Sequence, residues 1–264
     1  MKQFIAQAWG STDPDRFPGP QPISIERKHF TILKSKPYLV CEKNDGVRNM
    51  LVCYERHGVF VDRMFNTRQT TIPLAPGTIL DGELMESEFL VYDAVMIKGE
   101  NVMHLPLTER LARARKVCPL ATKGNVKVKV KTMLPLERVS EIVLGPKTDG
   151  LIFTPVDEPV RLGTHETCFK WKPNNTIDFL VKEYATVDGE PKYGLWIQKE
   201  MIKPLTNAKE YIGKIVECEY GKSGWSIIKV RTDKDYPNNR RTYERTLVNI
   251  KENIQLEDFV YIAK

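Results

Sequence analysis

The sequence predicts an α+β protein, with an antiparallel-rich first domain followed by a small β-barrel domain. Before about residue 180, strand-like apolar stretches outnumber the helical patterns. After that point the chain changes to short strands separated by turns, such as YGLWIQK, KIVECEYG and SGWSIIKV, which is the spacing of a small barrel. We therefore predict one domain over residues 1–178 and a smaller one over residues 179–264 that ends in a helix.

The elements of the first domain follow from its patterns in order. The proline-rich stretch TDPDRFPGPQPISIER predicts an extended arm. Strands are predicted for YLVCEK, VRNMLVCYE, GVFVDR, TILDGELM and FLVYDAVMI, and later for KVKVK, DGLIFTPV, CFKWKP and DFLVKEYATV. Apolar residues at helical spacing after Thr108 predict a helix in PLTERLARARKVC, and LPLERVSEIVLG predicts a second, short helix that ends at Gly145.

Composition limits the class of protein. The chain has 264 residues, 41% of them hydrophobic, enough to bury one large core or two. It contains neither an apolar run that could span a bilayer nor the apolar segment of a signal peptide, which predicts an intracellular protein of the nucleus or cytoplasm without a membrane partner. The five cysteines form no CxxC and the four histidines no HExxH, so these spacings predict neither a disulfide framework nor a zinc site. A net charge of +6 is compatible with a polyanionic partner.

The stretch PYLVCEKNDGVR has two interpretations. Asn-Asp-Gly between apolar runs is typical of a β-hairpin turn, so Lys43 could be a solvated lysine beside a turn. Alternatively, Lys43 is a nucleophile held at the end of a strand. The stretch by itself favours the turn.

Two further stretches carry paired charges. In TILDGELM, Asp81 and Glu83 can share one strand face and hold a metal or ribose hydroxyls, or simply face solvent. In FKWKP, Lys170 and Lys172 fall on one side of a predicted strand while the aromatic residues turn to the core. Two ammonium groups this close repel each other, so a phosphate between them would relieve that cost; an exposed basic strand is the alternative.

Three weaker signals are Asp149 in KTDGLIF, Arg63 in VDRMF, and the charged loop KVRTDKDYPNN. Each alone is a turn or a solvated loop. Together with Lys43 and the paired charges they supply the groups that nucleotidyl transfer needs. A lysine attacks an α-phosphate, cations neutralise its oxygens, and a metal stabilises the developing charge.

In their order these stretches resemble the covalent nucleotidyltransferases, which include mRNA capping enzymes and ATP-dependent DNA and RNA ligases. Residues 43–48 match the nucleophile motif KxDGxR, and FVDR, LDGEL, TDGLIF and FKWKP resemble the later motifs. Three features are similar to those of RNA guanylyltransferases: the arm FPGPQPISIER, the stretch FKWKP followed in the sequence by NTIDF, and VRTDKDYPNN, which resembles RxDKxxPN. The resemblance implies a nucleotidyltransferase domain followed by an OB-fold domain.

The resemblance also implies a mechanism. Lys43 would attack the α-phosphate of GTP, form lysyl-N-GMP, and pass GMP to the 5′-diphosphate end of RNA. Asp149 and Glu83 would hold Mg²⁺ or Mn²⁺. Glu42 is also implied as a nucleotide-binding residue. The others are Arg48 and Arg63 with Glu83 at the ribose, Ile152 at the guanine, Lys170 and Lys172 at the α-phosphate, and Asp178, Arg231, Asp233 and Lys234 at the β- and γ-phosphates when the domains close.

Lysine chemistry is consistent with this role. At a pKa near ~10.4 the amine is almost wholly protonated at neutral pH, so it needs cationic neighbours to release its proton. The chain shows no recognisable module for removing the RNA γ-phosphate or methylating the cap, so we expect an RNA triphosphatase and a cap methyltransferase as separate polypeptides.

Two alternatives remain open at this point. An ATP-dependent polynucleotide ligase would share Lys43 and the phosphate lysines, but it would carry AMP. A catalytically inert RNA- or partner-binding protein would keep the fold without needing this set of charged residues.

Overall fold

A computed structural model describes residues 1–118 and 126–263 of the chain. The chain forms two compact units. Unit 1 combines residues 1–171 with the segment that begins at Leu256, and unit 2 comprises Lys172–Gln255. Among the described residues, no helix has both the length and the apolar character needed to cross a membrane.

Unit 1 is built mainly from short antiparallel strands. Its elements up to residue 171 are, in chain order, α1 (Lys2–Trp9), β1 (Gln21–Ser24), α2 (Phe30–Ser35), β2 (Tyr38–Asn44), β3 (Val47–Cys53), β4 (His57–Asp62), β5 (Thr67–Pro73), β6 (Thr78–Leu84), β7 (Glu88–Ile97), β8 (Glu100–Asn101), α3 (Leu107–Val117), β9 (Lys127–Val130), β10 (Leu134–Pro135), β11 (Thr148–Pro155) and β12 (Thr164–Trp171).

These strands form two sheets. One has the order β1-β12-β11-β2-β10, and the other has the order β5-β4-β3-β6-β7-β8 with β9 parallel to β7. The second sheet is covered on both faces, since alternate residues of β3 enter different apolar clusters: Leu51 packs in a cluster with α3, and Met50 in one with α1. Burial on both faces explains why β3 has a nearly continuous apolar sequence.

Unit 2 is a curled antiparallel sheet with one α-helix and a short 3₁₀ helix (Lys209–Tyr211). Its elements are β13 (Thr176–Val187), β14 (Glu190–Ile197), β15 (Glu200–Leu205), β16 (Ile215–Gly221), β17 (Gly224–Val230) and α4 (Arg240–Glu252), with the sheet order β15-β14-β13-β16-β17. Phe179 and Trp225 pack in its core against Tyr243 of α4.

The barrel of unit 2 is not closed by a backbone ladder among the described strands. The ends of the sheet are instead joined by a side chain, because Lys203 Nζ of β15 donates to the Trp225 carbonyl in β17 at 2.6 Å. Pro204 lacks an N–H and cannot donate to a ladder at this edge. The predicted α+β class is confirmed, and five curled strands agree with the partly open barrel of an OB-fold.

The last helical stretch differs from the prediction. Asn253 ends α4 in the left-handed conformation (φ 43°), which asparagine adopts at low cost, and a separate helix, α5 (Leu256–Ile262), follows. The α5 helix belongs to unit 1, where buried Phe259 packs against the rings of Phe30, Phe153 and Trp171.

The limits of the units also differ from the predicted domains. A boundary between residues 178 and 179 would cut the continuous strand β13, whereas the units divide between Trp171 and Lys172. The short helix predicted to end at Gly145 is a 3₁₀ helix over Leu136–Glu141. Arg138 has a non-helical φ of −105°, so the 3₁₀ segment is kinked at that residue.

Candidate active site

Lys43 lies near the end of β2, opposite Gly150 of β11. The register between β2 and β11 shifts between Thr148 and Gly150, so Asp149 is an extra residue on its strand. Such a bulge re-aims a side chain. Here the Lys43 Nζ lies 2.8 Å from Asp149 Oδ1, and the two side chains are 24% and 29% exposed.

The Asn-Asp-Gly stretch is not a hairpin turn, so that interpretation is wrong. β2 pairs with β10 and β11, whereas β3 pairs with β4 and β6 of the other sheet. The stretch therefore carries the chain from one sheet to the other. Gly46 is needed for a close approach, because a Cβ there would lie 2.6 Å from Met85 Sδ and 2.7 Å from the Leu84 carbonyl oxygen.

A cavity of about 240 Å³ adjoins Lys43 in unit 1. The arm, β2, β3, β6, β7, β11 and β12 all contribute to its wall. Six residues predicted for the site line it: Glu42, Lys43, Arg48, Glu83, Ile152 and Lys170.

Arg48 is fixed in the cavity wall by a buried carboxylate. Its Nε and Nη2 donate to Asp81 Oδ1 and Oδ2 at 3.1 and 2.6 Å, and its Nη1 donates to the Pro20 carbonyl of the arm. The ring of Phe17 lies 5.2 Å from the guanidinium. Burial opposes the charge of Arg48, but Asp81 outweighs it, so the pKa of Arg48 is raised and the side chain stays cationic.

Glu83 lies opposite Arg48 in the β3–β6 ladder, and Asp81 lies two residues before it. Both line the cavity, as expected of alternate residues on one strand face. Glu83 Oε1 accepts a hydrogen bond from the Gly46 N–H at 3.2 Å. Burial raises the pKa of Glu83, although Lys43 and the Gly46 N–H act in the opposite direction.

Lys170 and Lys172 are not on one strand, contrary to the prediction. Lys170 lies in β12 opposite Ile152, but β12 ends at Trp171. Lys172 precedes Pro173, which has no N–H for a ladder and restricts the residue before it. The aromatic residues Phe169 and Trp171 are buried, as predicted.

Arg63 stands apart from this set. It is exposed in the turn after β4, and among the described residues it does not line the cavity. The neighbouring Asp62 accepts hydrogen bonds from the backbone N–H groups of Met64 and Asn66 at 2.8 and 2.9 Å, which shapes the turn.

Four predicted residues form one cluster within unit 2. Buried Asp178 accepts from Arg231 Nη1 at 3.0 and 3.2 Å and from Lys234 Nζ. Arg231 also binds both carboxylate oxygens of Asp233, at 2.8 and 2.7 Å. The side chain of Asn238 accepts from the Asp178 N–H. The residues of VRTDKDYPNN are thus joined to Asp178.

Several cavity residues were not predicted from the sequence. Lys131 Nζ donates to the Glu42 carbonyl at 2.5 Å, and half-buried Tyr92 donates to Asp81 Oδ1 at 3.1 Å. The buried Arg110 binds both oxygens of Asp93 at 2.7 and 3.0 Å. The signal for this last pair is a charged residue on the apolar face of a helix, since Arg110 follows Leu107 by three positions.

His165 and Glu158 also belong to the cavity wall. Glu158 accepts hydrogen bonds from Lys36 and Thr167 at 2.5 and 2.8 Å. Burial lowers the pKa of His165, although Glu158 acts in the opposite direction. Burial therefore favours the neutral form of His165 in this wall.

Two family models together match residues 1–260 of the chain. The model described as mRNA capping enzyme, catalytic domain, matches residues 1–174, and the one described as mRNA capping enzyme, C-terminal domain, matches residues 174–260.

Individual relatives agree with these models. The mRNA-capping enzyme subunit alpha of Schizosaccharomyces pombe is 29% identical over 98% of this chain and 83% of its own length. The mRNA-capping enzyme of Danio rerio is 28% identical over 89% of this chain. The matched region spans 48% of the length of the Danio rerio protein, about half of it.

A solved structure named Pmar-Lig_Pre has the same fold, with a TM-score of 0.50, 15% identity, and coverage of 88% of this chain and 71% of its own. At that identity the likeness concerns the fold alone. The two family models together cover nearly all of the sequence and agree with the order of its motifs. The chain therefore belongs to the mRNA capping enzyme family, which confirms the prediction of an RNA guanylyltransferase made from its motifs.

Proposed function

We propose that Lys43 is the nucleophile that takes GMP from GTP and delivers it to the 5′-diphosphate end of RNA. The observation that carries this proposal is the Lys43 side chain in the wall of the cavity of about 240 Å³, with its Nζ 2.8 Å from Asp149. A lysine of the matching motif is thus both partly accessible and oriented by a carboxylate.

The reaction has two steps. In the first, the Lys43 amine loses its proton and attacks the α-phosphorus of GTP; the P–N bond forms and pyrophosphate leaves. In the second, a β-phosphate oxygen of the RNA 5′-diphosphate attacks the same phosphorus. The P–N bond breaks, the amine takes up a proton, and GMP is joined to the RNA through a 5′–5′ triphosphate bridge.

Activation of Lys43 requires that its proton be released. Lys43 is ion-paired with Asp149, so that carboxylate must be engaged elsewhere before the amine can attack. Lys131 and Lys170 line the same cavity as Lys43 and add positive charge to its wall. Arg48 contributes less to this effect because Asp81 neutralises it.

A divalent cation, Mg²⁺ or Mn²⁺, fits this set of residues. Among the residues described, no group of three or more His, Cys, Asp or Glu side chains could hold a metal. Mg²⁺ at nucleotide sites commonly uses only one or two carboxylates together with substrate phosphates. Asp149 and Glu83 are the carboxylates near Lys43 that would serve. When bound, such an ion neutralises charge on the phosphate oxygens.

The nucleotide itself would be bound by side chains of the cavity wall. Ile152 offers an apolar surface to the guanine, Arg48 and Glu83 border the ribose, and Lys170 faces the α-phosphate. The backbone carbonyl of Glu42 accepts a hydrogen bond from Lys131 Nζ and so helps to hold Lys131 in the cavity wall. The roles of Arg63, Lys172 and the Asp178 cluster toward the nucleotide stay predictions, as does the dependence on a separate RNA triphosphatase and cap methyltransferase.

The test is covalent labelling. The protein is incubated with α-³²P-labelled GTP or ATP and Mg²⁺ or Mn²⁺, denatured, and examined for acid-labile label. We expect label from GTP alone, no label in Lys43→Ala, and normal label in the control Lys34→Ala, which removes an exposed lysine of α2. Label from ATP would instead support a ligase, and GTP label that persists in folded Lys43→Ala would exclude Lys43.

A further inference from the structure

Three lysines of the KVKVK stretch form a row along β9. Lys127 and Lys129 are exposed, Val128 between them is buried, and Lys131 comes two residues after Lys129. The pairing with β7 continues to the end of the row, because the Lys131 N–H donates to the Val91 carbonyl at 2.8 Å. Alternate residues of a strand repeat at about 6.6 Å, so the backbone positions of the three lysines follow one another at that spacing.

The inner end of this lysine row belongs to the active site. Lys131 lines the cavity that contains Lys43, and its Nζ donates to the Glu42 carbonyl. Lys131 also contributes, with Lys43, to the electrostatic surroundings of Glu83. An extended polyanion lying along the row would therefore reach the cavity at Lys131.

The outer end of the row, at Lys127, lies beside the β6–β7 turn, and that turn approaches Gly46 in the connection that follows Lys43. The Lys127 N–H donates to the Ser87 carbonyl at 2.8 Å. The same β6–β7 turn closely approaches Gly46 through Met85. A fourth cation, Lys147, lies at this turn, 3.4 Å from Glu86.

Two of these lysines have acidic partners that a phosphate can replace. Lys129 pairs with Glu88 at 2.5 Å, and the side chains are 55% and 33% exposed. The Lys147–Glu86 pair is more exposed still. Exposed ion pairs contribute little to stability, so exchanging the carboxylate for an RNA phosphate costs the fold little.

We propose that the lysine row binds the backbone phosphates of the acceptor RNA just behind its 5′ end and guides that end to Lys43. The inference rests on the proposed function, since it concerns the acceptor of the second step. The repeat of the row is comparable to one nucleotide of an extended single strand. Phosphate contacts fix the position of a nucleic acid without reading its sequence, which suits an enzyme that accepts many different transcripts.

The experiment compares two double variants in both half-reactions. Lys127→Ala/Lys129→Ala removes the two exposed members of the row. Lys34→Ala/Lys98→Ala is the matched control: it removes the same charge from unit 1, and Lys98 lies beyond the opposite end of β7 from Glu88. Each variant is assayed for lysyl-GMP formation, and then for GMP transfer to a 5′-diphosphate RNA of about 20 nucleotides and to a 5′-diphosphate mononucleotide.

For the row variant we expect lysyl-GMP formation and transfer to the mononucleotide within twofold of the unchanged protein. KM for the long RNA should rise by about tenfold. A plot of log KM against log salt concentration should have a slope smaller by about 1.4, because each of the two lost phosphate contacts accounts for about 0.7 released counterion. The control variant should show neither change.

The outcomes separate the two proposals. Absence of lysyl-GMP in the unchanged protein would overturn the proposed function. Normal lysyl-GMP with an unaltered KM for long RNA would overturn the lysine row, and so would equal losses with the long RNA and the mononucleotide. If the alanine variant melts early, Lys127→Gln/Lys129→Gln replaces it, with the same expected results.

Discussion

Two clusters in this molecule each combine positive and negative side chains, but they are built differently. In unit 1, Lys43 pairs with Asp149 beside a cavity, and both side chains are about a quarter exposed. In unit 2, Asp178 is only 6% exposed and receives Arg231 and Lys234 together, while Arg231 is held by a second carboxylate. The first pair has accessible surface on both partners, whereas the central carboxylate of the second cluster is nearly closed to solvent.

The difference shows what each arrangement can do. A partly exposed pair stabilises a fold little and can exchange its partner at small cost, which is what a nucleophile needs before it can react. When a buried carboxylate is removed from two cationic partners, their charges are left without the partner that compensated them. The unit 1 pair should therefore matter for chemistry, and the unit 2 cluster for stability.

The largest effect is expected for Asp149→Asn. Lysyl-GMP formation should fall by about 100-fold or more, because the variant loses a charge that orients Lys43 and would bind the metal. The free energy of unfolding should change by less than about 1 kcal/mol. Labelling with GTP over a range of Mn²⁺ concentrations and a urea titration measure the two quantities. A stability loss with normal labelling would reverse the assignment of the two clusters.

A smaller effect, on stability, is expected for Asp178→Asn. The change removes the buried carboxylate charge that Arg231 and Lys234 share and leaves the two cations beside each other, so the free energy of unfolding of unit 2 should fall by about 3 kcal/mol. Denaturation monitored by the fluorescence of Trp225, in the core of this unit, measures it. The control is Asp233→Asn, which removes an exposed carboxylate from the same arginine and should change stability little. Equal losses of stability in both variants would mean that the burial of Asp178 does not determine how much it stabilises unit 2.

The smallest effect concerns a neutral group in the cavity wall. Burial lowers the pKa of His165 from 6.5, so as the pH falls below about 6.5 the unfolded chain binds a proton that the folded chain does not. The free energy of unfolding therefore decreases until the pH reaches the folded pKa. In His165→Gln this part of the pH dependence should be absent.

Urea titrations of both proteins between pH 7 and pH 5 test this expectation. Glu158, whose pKa is lowered from 4.5, contributes its own loss of stability only below about pH 4.5, outside this window. An unchanged slope in His165→Gln would show that the histidine is not the titrating group.

Much of the candidate site could be predicted because its chemistry is carried by short motifs. Lys43, Glu83 and Lys170 lie in strands that the sequence predicts, and alternation along β6 correctly puts Asp81 and Glu83 on one face. Helix and strand patterns are local, so the positions of β2, β3 and α3 also follow from them.

What could not be predicted depends on contacts between distant segments. Asn-Asp-Gly has the turn chemistry of a hairpin, but the partner of a strand is chosen by the whole sheet, and β2 and β3 enter different ones. Arg48 is held by Asp81 and by the arm at Pro20, neither of which its motif indicates. The return of α5 to unit 1 depends on Phe259 packing against Trp171, and all of unit 2 lies between these two residues in the sequence.

That return has a consequence for the order of events during synthesis. Unit 1 begins early in the chain, but Phe259, which is wholly buried in it, is made only after all of unit 2. At about 5–20 residues per second, the ribosome spends on the order of ten seconds between Trp171 and α5. During that interval unit 2 can complete its own sheet, while the nascent unit 1 keeps an apolar surface at Phe30 and Phe153 that chaperones could bind.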